Sequence, residues 1–184
     1  FKAAEDAGAL AVGVDIDAAS FKTMSLKGQA VGPKTIEELQ ELKSHLKVPF
    51  ILKGIMNVES ALSAIESGAD AIVVSNHGGR VMDHMPGTAE VLPEISNAVA
   101  GRIKVLVDGG IREGIDIIKM LALGADAVMI GRPICIAAFG AGQEGVSYYL
   151  QEKVKELKKA MILTGCGSID QIDPSIIFRK KGER

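Results

Sequence analysis

The sequence predicts an α/β fold in which five parallel strands alternate with helices. Three segments share one pattern, in which a helical stretch ends in Gly-Ala and an apolar run follows; the pairs are Gly8-Ala9, Gly68-Ala69 and Gly124-Ala125. Two further apolar runs follow helical segments in the same way. The five predicted strands span residues 10–14, 49–52, 71–74, 103–107 and 127–130. Because these runs are continuously apolar rather than alternating, they are typical of strands buried on both faces of a parallel sheet.

Start signals for the intervening helices are also present. Thr35 and Glu38 have the spacing of a capping box for a helix over 36–46, and Asn57 is suited to cap a helix over 58–67. A long amphipathic helix is predicted after the last strand, because apolar residues recur there at helical spacing along one face. These apolar residues are Val146, Leu150, Val154, Leu157 and Met161.

Length and composition limit the classes of protein to consider. The chain has 184 residues, 47% hydrophobic and 24% charged, so residues 1–184 are expected to form one domain with a sizeable core. A formal net charge of −2 gives no basic surface for nucleic acid or an anionic membrane, and no apolar stretch approaches the roughly 20 residues of a membrane span. Cys135 and Cys166 form no CxxC pair, which favours a cytoplasmic location and argues against a disulfide or cysteine-rich zinc site. We expect no metal ion and neither nucleic acid nor a membrane as a partner.

Polar and glycine residues at the predicted strand ends distinguish between two α/β architectures. Every strand ends in such a signal: Asp15, Lys53, Ser75 to His77, Asp108 to Gly110, and Gly131 to Arg132. A doubly wound sheet concentrates its ligands at one switch point, whereas a (β/α)8 TIM barrel collects them from the C-terminal ends of many strands. A complete barrel needs about 250 residues. The sequence therefore predicts the last five strands and the closing helix of a TIM barrel, and the chain is expected to be a piece of a longer protein.

The segment Ser75-Asn76-His77-Gly78-Gly79-Arg80 is the strongest local signal for chemistry. A histidine at a strand end, followed by two glycines and an arginine, places a general base beside a bidentate anion binder. The glycines allow a ligand to approach the backbone. The alternative is a glycine-rich turn with a surface histidine and arginine.

Two later segments indicate a phosphate site. Residues 108–112 read Asp-Gly-Gly-Ile-Arg, and residues 131–133 read Gly-Arg-Pro. Each segment follows a strand and opens a helix, so we expect outward-pointing backbone N–H groups and an available arginine, as in the phosphate sites of barrel loops seven and eight. The alternative is a pair of helix-starting turns with solvated arginines.

Charged residues at the ends of the first two strands have two interpretations each. Lys53 can stabilise negative charge at the barrel mouth or form a Schiff base, and the alternative is a solvated lysine. Asp15 and Asp17 end the first strand, where turn formation and helix capping are as plausible as a catalytic role.

Taken together, these motifs resemble the FMN-dependent 2-hydroxy acid oxidase and dehydrogenase family, which includes glycolate oxidase, lactate oxidase and flavocytochrome b2. The matching segments are 52–54, 75–80, 108–112, 121–125, 130–133 and 163–166. The resemblance extends from about residue 9 to residue 172. Family members are complete barrels, so it implies that the first three strands lie outside this chain.

The resemblance also implies residue roles. His77 corresponds to the catalytic base, Arg80 to the arginine that holds the substrate carboxylate, and Asp15 to the aspartate that pairs with the base. Lys53 corresponds to the lysine beside flavin N1 and O2, whose charge favours the anionic reduced flavin and gives it both a catalytic and a cofactor-binding role. The residues assigned to FMN are Lys53, Ser75, Asp108, Gly109, Gly110, Arg112, Gly131 and Arg132.

The chain departs from the family pattern after Asp15. Many members have a Thr-Pro pair there and, a few residues later, an arginine that is a second carboxylate ligand. This chain continues Ile-Asp-Ala-Ala-Ser-Phe-Lys, so Lys22 is the nearest cation and supplies a point charge without a bidentate fork. The departure leaves the substrate among the 2-hydroxy acids open.

The expected function is FMN-dependent oxidation of a small L-2-hydroxy acid, of the lactate or glycolate type, to the 2-oxo acid. One alternative is another FMN- or phosphate-binding barrel enzyme, such as a type 2 isopentenyl diphosphate isomerase or an IMP dehydrogenase. A second alternative is an inert half-barrel. An open sheet edge invites pairing with another chain, so a homo-oligomer is expected.

Overall fold

The strands of the chain form one parallel sheet whose spatial order follows the chain order. The computed structural model describes residues 1–18, 26–28 and 31–178. The strands are β1 (Val12–Asp15), β2 (Phe50–Ile55), β3 (Ala71–Val74), β4 (Lys104–Val107) and β5 (Ala127–Val128). Each strand pairs in parallel with the next one in the sequence. A doubly wound sheet reverses its order at a switch point, whereas consecutive barrel strands do not. The α/β prediction is confirmed, and the order is that of five consecutive barrel strands.

Helices lie between the strands, and the predicted caps are confirmed. The helices are α1 (Lys2–Asp6), α2 (Ile36–Ser44), α3 (Val58–Glu66), α4 (Thr88–Val99), α5 (Gly114–Ala122) and α6 (Arg132–Thr164). Thr35 and Glu38 form both halves of the capping box, with N···O distances of 3.2 and 2.9 Å. Asn57 Oδ1 accepts a hydrogen bond of 2.7 Å from the Ser60 N–H. No helix within the described residues has the length and apolar character to cross a membrane.

The core lies between the central strands and the helices that cover them. All four residues of β3 are buried. Phe50, Ile55 and Leu92 are fully excluded from solvent. The first strand begins two residues later than predicted and ends one residue later, and Leu10, which precedes it, is 90% exposed.

The residues that follow the Gly-Ala pairs before β3 and β5 stabilise the N-terminal edge of the sheet. An aspartate follows each pair, Asp70 in one case and Asp126 in the other. Asp70 accepts a hydrogen bond of 2.7 Å from the Phe50 N–H, and Asp126 accepts one of 2.8 Å from the Val105 N–H. Each carboxylate therefore fixes the beginning of the preceding strand. This edge contributes to stability, and the opposite edge remains for ligands.

The closing helix differs from the prediction. Residues Ala141 and Gly142 leave helical geometry, so α6 is a helix with a kink. Its second half packs on α5 at Gly114, where an added Cβ would lie 2.3 Å from the Leu157 backbone nitrogen. Leu157 is partly buried at this contact, whereas Leu150 and Val154 of the predicted apolar face are exposed. The described residues therefore cover the predicted apolar face only in part.

Candidate active site

The C-terminal ends of the strands surround a cavity of about 300 Å³. It brings together most of the residues that the sequence indicated; its charged and titratable lining residues are Lys53, His77, Arg80, Asp108, Arg112 and Arg132. Gly109, Gly110 and Gly131 also line it. A second cavity of about 510 Å³ shares Gly109 and Gly110 with the first. The predicted ligand edge of the sheet is therefore a continuous concave surface.

Lys53 is held at the mouth of this cavity by two carboxylates. In the β1–β2 register Lys53 lies opposite Asp15, and its Nζ is 2.7 Å from Asp15 Oδ1. Asp108 Oδ2 lies 4.0 Å from the same nitrogen. The side chain of Lys53 is 20% exposed, so its ammonium group is partly shielded from water at the cavity, and Asp15 and Asp108 offset its charge.

The turn after β3 places His77 in a rare conformation. The φ angles are +56° at His77, +69° at Gly78 and +74° at Gly79, so three successive residues are left-handed. Ser75 Oγ, which is fully buried, accepts a hydrogen bond of 3.1 Å from the His77 N–H. Left-handed residues other than glycine are uncommon and concentrate at functional sites. The side chain of Ser75 therefore stabilises the turn through the His77 N–H, and it does not line either cavity.

His77 contacts a different aspartate from the one that the sequence interpretation assigned. Its Nδ1 lies 3.2 Å from both carboxylate oxygens of Asp17. Asp15 is engaged with Lys53 instead. The strand register places Asp15 opposite Lys53, and the 3-10 turn Ile16–Ala18 brings Asp17 to the imidazole. An oxygen of Asp15 also lies within 4.8 Å of a His77 ring nitrogen, so the assigned pairing of Asp15 with His77 stays a prediction. The adjacent Asp-Ile-Asp signal was visible in the sequence, but the turn geometry that selects the second aspartate was not.

Arg80 is oriented by the same turn. Its Nε donates a hydrogen bond of 3.0 Å to the His77 carbonyl oxygen. The two terminal nitrogens of the guanidinium form the fork that binds a carboxylate in a bidentate manner. One short segment therefore brings both the imidazole and the guanidinium to the cavity, and their roles as base and anion binder stay predictions.

The far end of the cavity is basic. Arg112 and Arg132 line it, and the guanidinium of Arg132 lies over the histidine turn, since a Cβ added to Gly78 would be 2.9 Å from Arg132 Nη2. The sequence predicted outward-pointing N–H groups at the start of α5, and two of these groups are directed elsewhere. The Arg112 and Glu113 N–H groups both donate to Asp116 Oδ2 at 3.0 Å, so this helix start is capped internally. The arginine side chains and the start of α6 are the remaining groups at this end that can bind an anion.

The cavity wall fits a ligand with a polyhydroxyl chain and a phosphate. Within the described residues, Asp108 Oδ1 is buried and has no hydrogen-bond partner, so it can accept from a ligand hydroxyl. A Cβ added at Gly110 or Gly131 would meet no atom within 4 Å, so the backbone there is open to close approach by a ligand. FMN combines these features with a ring system that gains negative charge on reduction, and a cation such as Lys53 can offset that charge.

Histidine, lysine and arginine side chains gathered at the C-terminal ends of consecutive parallel strands are typical of barrel enzymes that bind a phosphate-bearing cofactor or substrate. The profile of the family described as FMN-dependent dehydrogenase matches residues 2–179. The chain belongs to this family.

Individual relatives are consistent with the family assignment. The chain is 45% identical over 148 residues to the peroxisomal (S)-2-hydroxyacid oxidase GLO4 of Arabidopsis thaliana, covering 80% of this chain and 40% of that protein. It is 49% identical over 143 residues to the L-lactate oxidase of Nostoc sp., covering 78% and 39%. A crystal structure of mandelate oxidase superposes with a TM-score of 0.84 at 41% identity, covering 92% of this chain and 56% of that one. Another mandelate oxidase structure, also with a TM-score of 0.84, carries an FMN adduct.

The chain spans about two fifths of the length of these curated relatives. Lys22, the predicted substitute for the second carboxylate-binding arginine, lies outside the described residues.

Proposed function

We propose that the protein to which this chain belongs oxidises a small L-2-hydroxy acid to the 2-oxo acid with FMN. The observation that supports this proposal most directly is that the side chains of His77 and Arg80 come from one turn and line the same cavity as Lys53. Oxidation of a C2 alcohol to a carbonyl group releases two electrons and two protons. When bound, FMN would supply the acceptor for the two electrons and one proton, and the other proton would go to His77. The three side chains provide the base, the carboxylate clamp and the compensating charge.

The cofactor would be held along the cavity wall. Arg112 and Arg132 would bind the phosphate, and Asp108 would accept from a hydroxyl of the ribityl chain through its unpaired oxygen. Lys53 would lie beside the ring, where its charge offsets negative charge. Gly110 and Gly131 leave the backbone open to the ligand.

The substrate would be bound by its carboxylate and deprotonated by histidine. The guanidinium of Arg80 fixes the carboxylate by two parallel hydrogen bonds. His77 then accepts one of the two protons that the oxidation releases. The names of the relatives, which include lactate oxidase and 2-hydroxyacid oxidase, support this substrate class and leave its individual member open.

We also propose that residues 1–184 form the last five strands and the closing helix of the barrel domain. In the described part of the sheet β1 and β5 each have one neighbour, so their outer edges favour pairing with the rest of a barrel or with a second copy. The cytoplasmic location stays a prediction from cysteine usage.

The test is anaerobic stopped-flow reduction of the FMN-loaded protein by L-lactate, glycolate and L-mandelate, followed by the loss of the visible absorbance of oxidised flavin. His77→Gln should lower the reduction rate by about 10²- to 10⁴-fold, the usual contribution of a positioned general base, while FMN remains bound. His45→Gln is the matched control, because His45 is exposed at the C-cap of α2. A His77→Gln variant with the rate of the unchanged protein would remove His77 from the mechanism.

A further inference from the structure

The guanidinium of Arg112 lines the cavity but is not held there by an acidic partner. Arg112 is exposed. In the part of the chain that the structure describes, no carboxylate forms an ion pair with its guanidinium. The position of this guanidinium therefore depends on how the backbone of residue 112 is held.

Both backbone polar groups of Arg112 are hydrogen-bonded to side chains, and the two side chains come from different helices. The N–H donates to Asp116 Oδ2 of α5 at 3.0 Å, and the carbonyl oxygen accepts from Tyr149 Oη of α6 at 2.9 Å. Ile111, which precedes Arg112, is 3% exposed and belongs to the core. The backbone of residue 112 is thus held by the core, by α5 and by α6.

Tyr149 is itself restrained by the face of α6 from which it comes. Lys153, about one turn later, places its Nζ 5.1 Å from the centroid of the Tyr149 ring. Lys153 also pairs with Glu156, whose other carboxylate oxygen accepts a hydrogen bond of 2.7 Å from the Gly114 N–H. Burial raises the pKa of the Tyr149 hydroxyl, so the group is protonated and can donate at neutral pH. Three side chains on one face of α6 therefore act together on the segment 112–114.

We propose that Tyr149 is a positioning residue for Arg112 and, through it, for the phosphate of FMN. The inference rests on the proposed function, in which Arg112 binds this phosphate. Tyr149 lines neither cavity, so it acts through the backbone of Arg112 rather than by touching the cofactor. A guanidinium that is already held in place loses less conformational freedom on binding, which favours the complex. Because Arg132 begins α6, this helix would supply one arginine of the basic end and hold the other.

Tyr149→Phe removes the donor and keeps the ring, so it isolates the hydrogen bond to the Arg112 carbonyl. Loss of a neutral hydrogen bond should lower the affinity for FMN by about 2- to 12-fold. The affinity for riboflavin, which lacks the phosphate, should stay unchanged, and quenching of flavin fluorescence measures both. Tyr148→Phe is the matched control and should change neither affinity, because Tyr148 is 67% exposed on the same helix.

A double-mutant cycle shows whether Tyr149 acts through Arg112. In an Arg112→Ala background, Tyr149→Phe should no longer change the ratio of FMN affinity to riboflavin affinity, because the guanidinium that it positions is absent. An unchanged ratio in Tyr149→Phe alone, or an equal loss in both backgrounds, would overturn the inference.

Amide hydrogen exchange of the flavin-free protein gives a readout that needs no cofactor. The amides of residues 112–114 should exchange faster in Tyr149→Phe, since the segment opens more often once one of its contacts is lost. The Ser60 amide, which Asn57 caps at the start of α3, should keep its rate. Unchanged exchange across residues 112–114 would contradict the positioning role. Failure of the proposed phosphate site would appear separately, as an unchanged FMN affinity in Arg112→Ala.

Discussion

A pair of glycine variants tests whether the histidine turn and the basic end of the cavity are one unit. Gly78 and Gly79 are adjacent and have φ angles of +69° and +74°. A Cβ at Gly78 would be 2.9 Å from Arg132 Nη2, whereas a Cβ at Gly79 would meet no atom within 4 Å. Alanine at either position therefore has a similar free-energy cost from the left-handed backbone, but only alanine at residue 78 displaces the guanidinium of Arg132.

The magnitudes follow from this geometry. A left-handed alanine costs about 1–2 kcal/mol, so both variants should lower the free energy of unfolding by that amount. In Gly78→Ala the guanidinium of Arg132 must also move. If it binds a phosphate, the loss is at most that of one hydrogen bond to a charged group, about 1.5–3 kcal/mol. This corresponds to an increase in Kd of about 10- to 150-fold.

The assay compares FMN with riboflavin, which lacks the phosphate. Urea unfolding measures the shared backbone cost, and quenching of flavin fluorescence measures the two affinities. Gly78→Ala should reduce the ratio of FMN affinity to riboflavin affinity, and Gly79→Ala should keep it. Equal ratios in the two variants would show that Arg132 does not bind the phosphate. Equal loss of both flavins in Gly78→Ala would place the effect on the ring rather than on the phosphate.

Three further predictions use the same structure. Arg112→Ala should raise the Kd for FMN by about 10- to 150-fold, as measured by fluorescence titration. Arg102→Ala is the control and should leave this Kd unchanged, because Arg102 donates to the Ala98 and Val99 carbonyls at the other end of α4. Arg80→Lys should raise KM and lower kcat in steady-state assays, because a lysine cannot form the bidentate fork; unchanged parameters would exclude Arg80 as the carboxylate ligand. Burial opposes ionisation of Asp126, but hydrogen bonds from Lys104 and the Val105 N–H outweigh it and lower its pKa. Its contribution to stability is therefore present above the unfolded pKa of about 3.9 and is lost as the pH falls through the lower folded value. Urea midpoints should show a weaker acid dependence in Asp126→Asn.

The parts of the fold that the sequence predicts are those encoded by local patterns. Continuous apolar runs identified the strands, and the Thr35–Glu38 spacing identified a helix start that the structure confirms. Polar residues at strand ends indicated the correct edge of the sheet, because parallel strands bring all their C-terminal ends together. Local chemistry is sufficient for these predictions, since no knowledge of distant contacts is needed.

The parts that the sequence does not predict depend on contacts between elements. The sequence indicates two aspartates after the first strand, but only the pairing of β1 with β2 shows that Asp15 meets Lys53. In the same way, Asp116 reaches back to the start of its own helix and occupies N–H groups that were expected to face a phosphate. The close approach of α6 to α5 at Gly114 is a further contact that no apolar pattern encodes.

The conformation of His77 is maintained because several groups restrain it at once. A left-handed residue other than glycine costs about 1–2 kcal/mol and would relax if a single contact held it. Here Ser75 Oγ accepts from its backbone N–H, Arg80 Nε donates to its carbonyl and Asp17 faces its ring. The backbone contacts fix the position of the His77 Cα–Cβ bond, and the ring contact fixes the orientation of the imidazole. A base restrained in this way needs little reorganisation when substrate binds. The small reorganisation lowers the activation barrier of the proton transfer. The strained backbone of the turn is therefore consistent with the proposed role of His77 as a preorganised base beside Arg80, the proposed ligand of the substrate carboxylate.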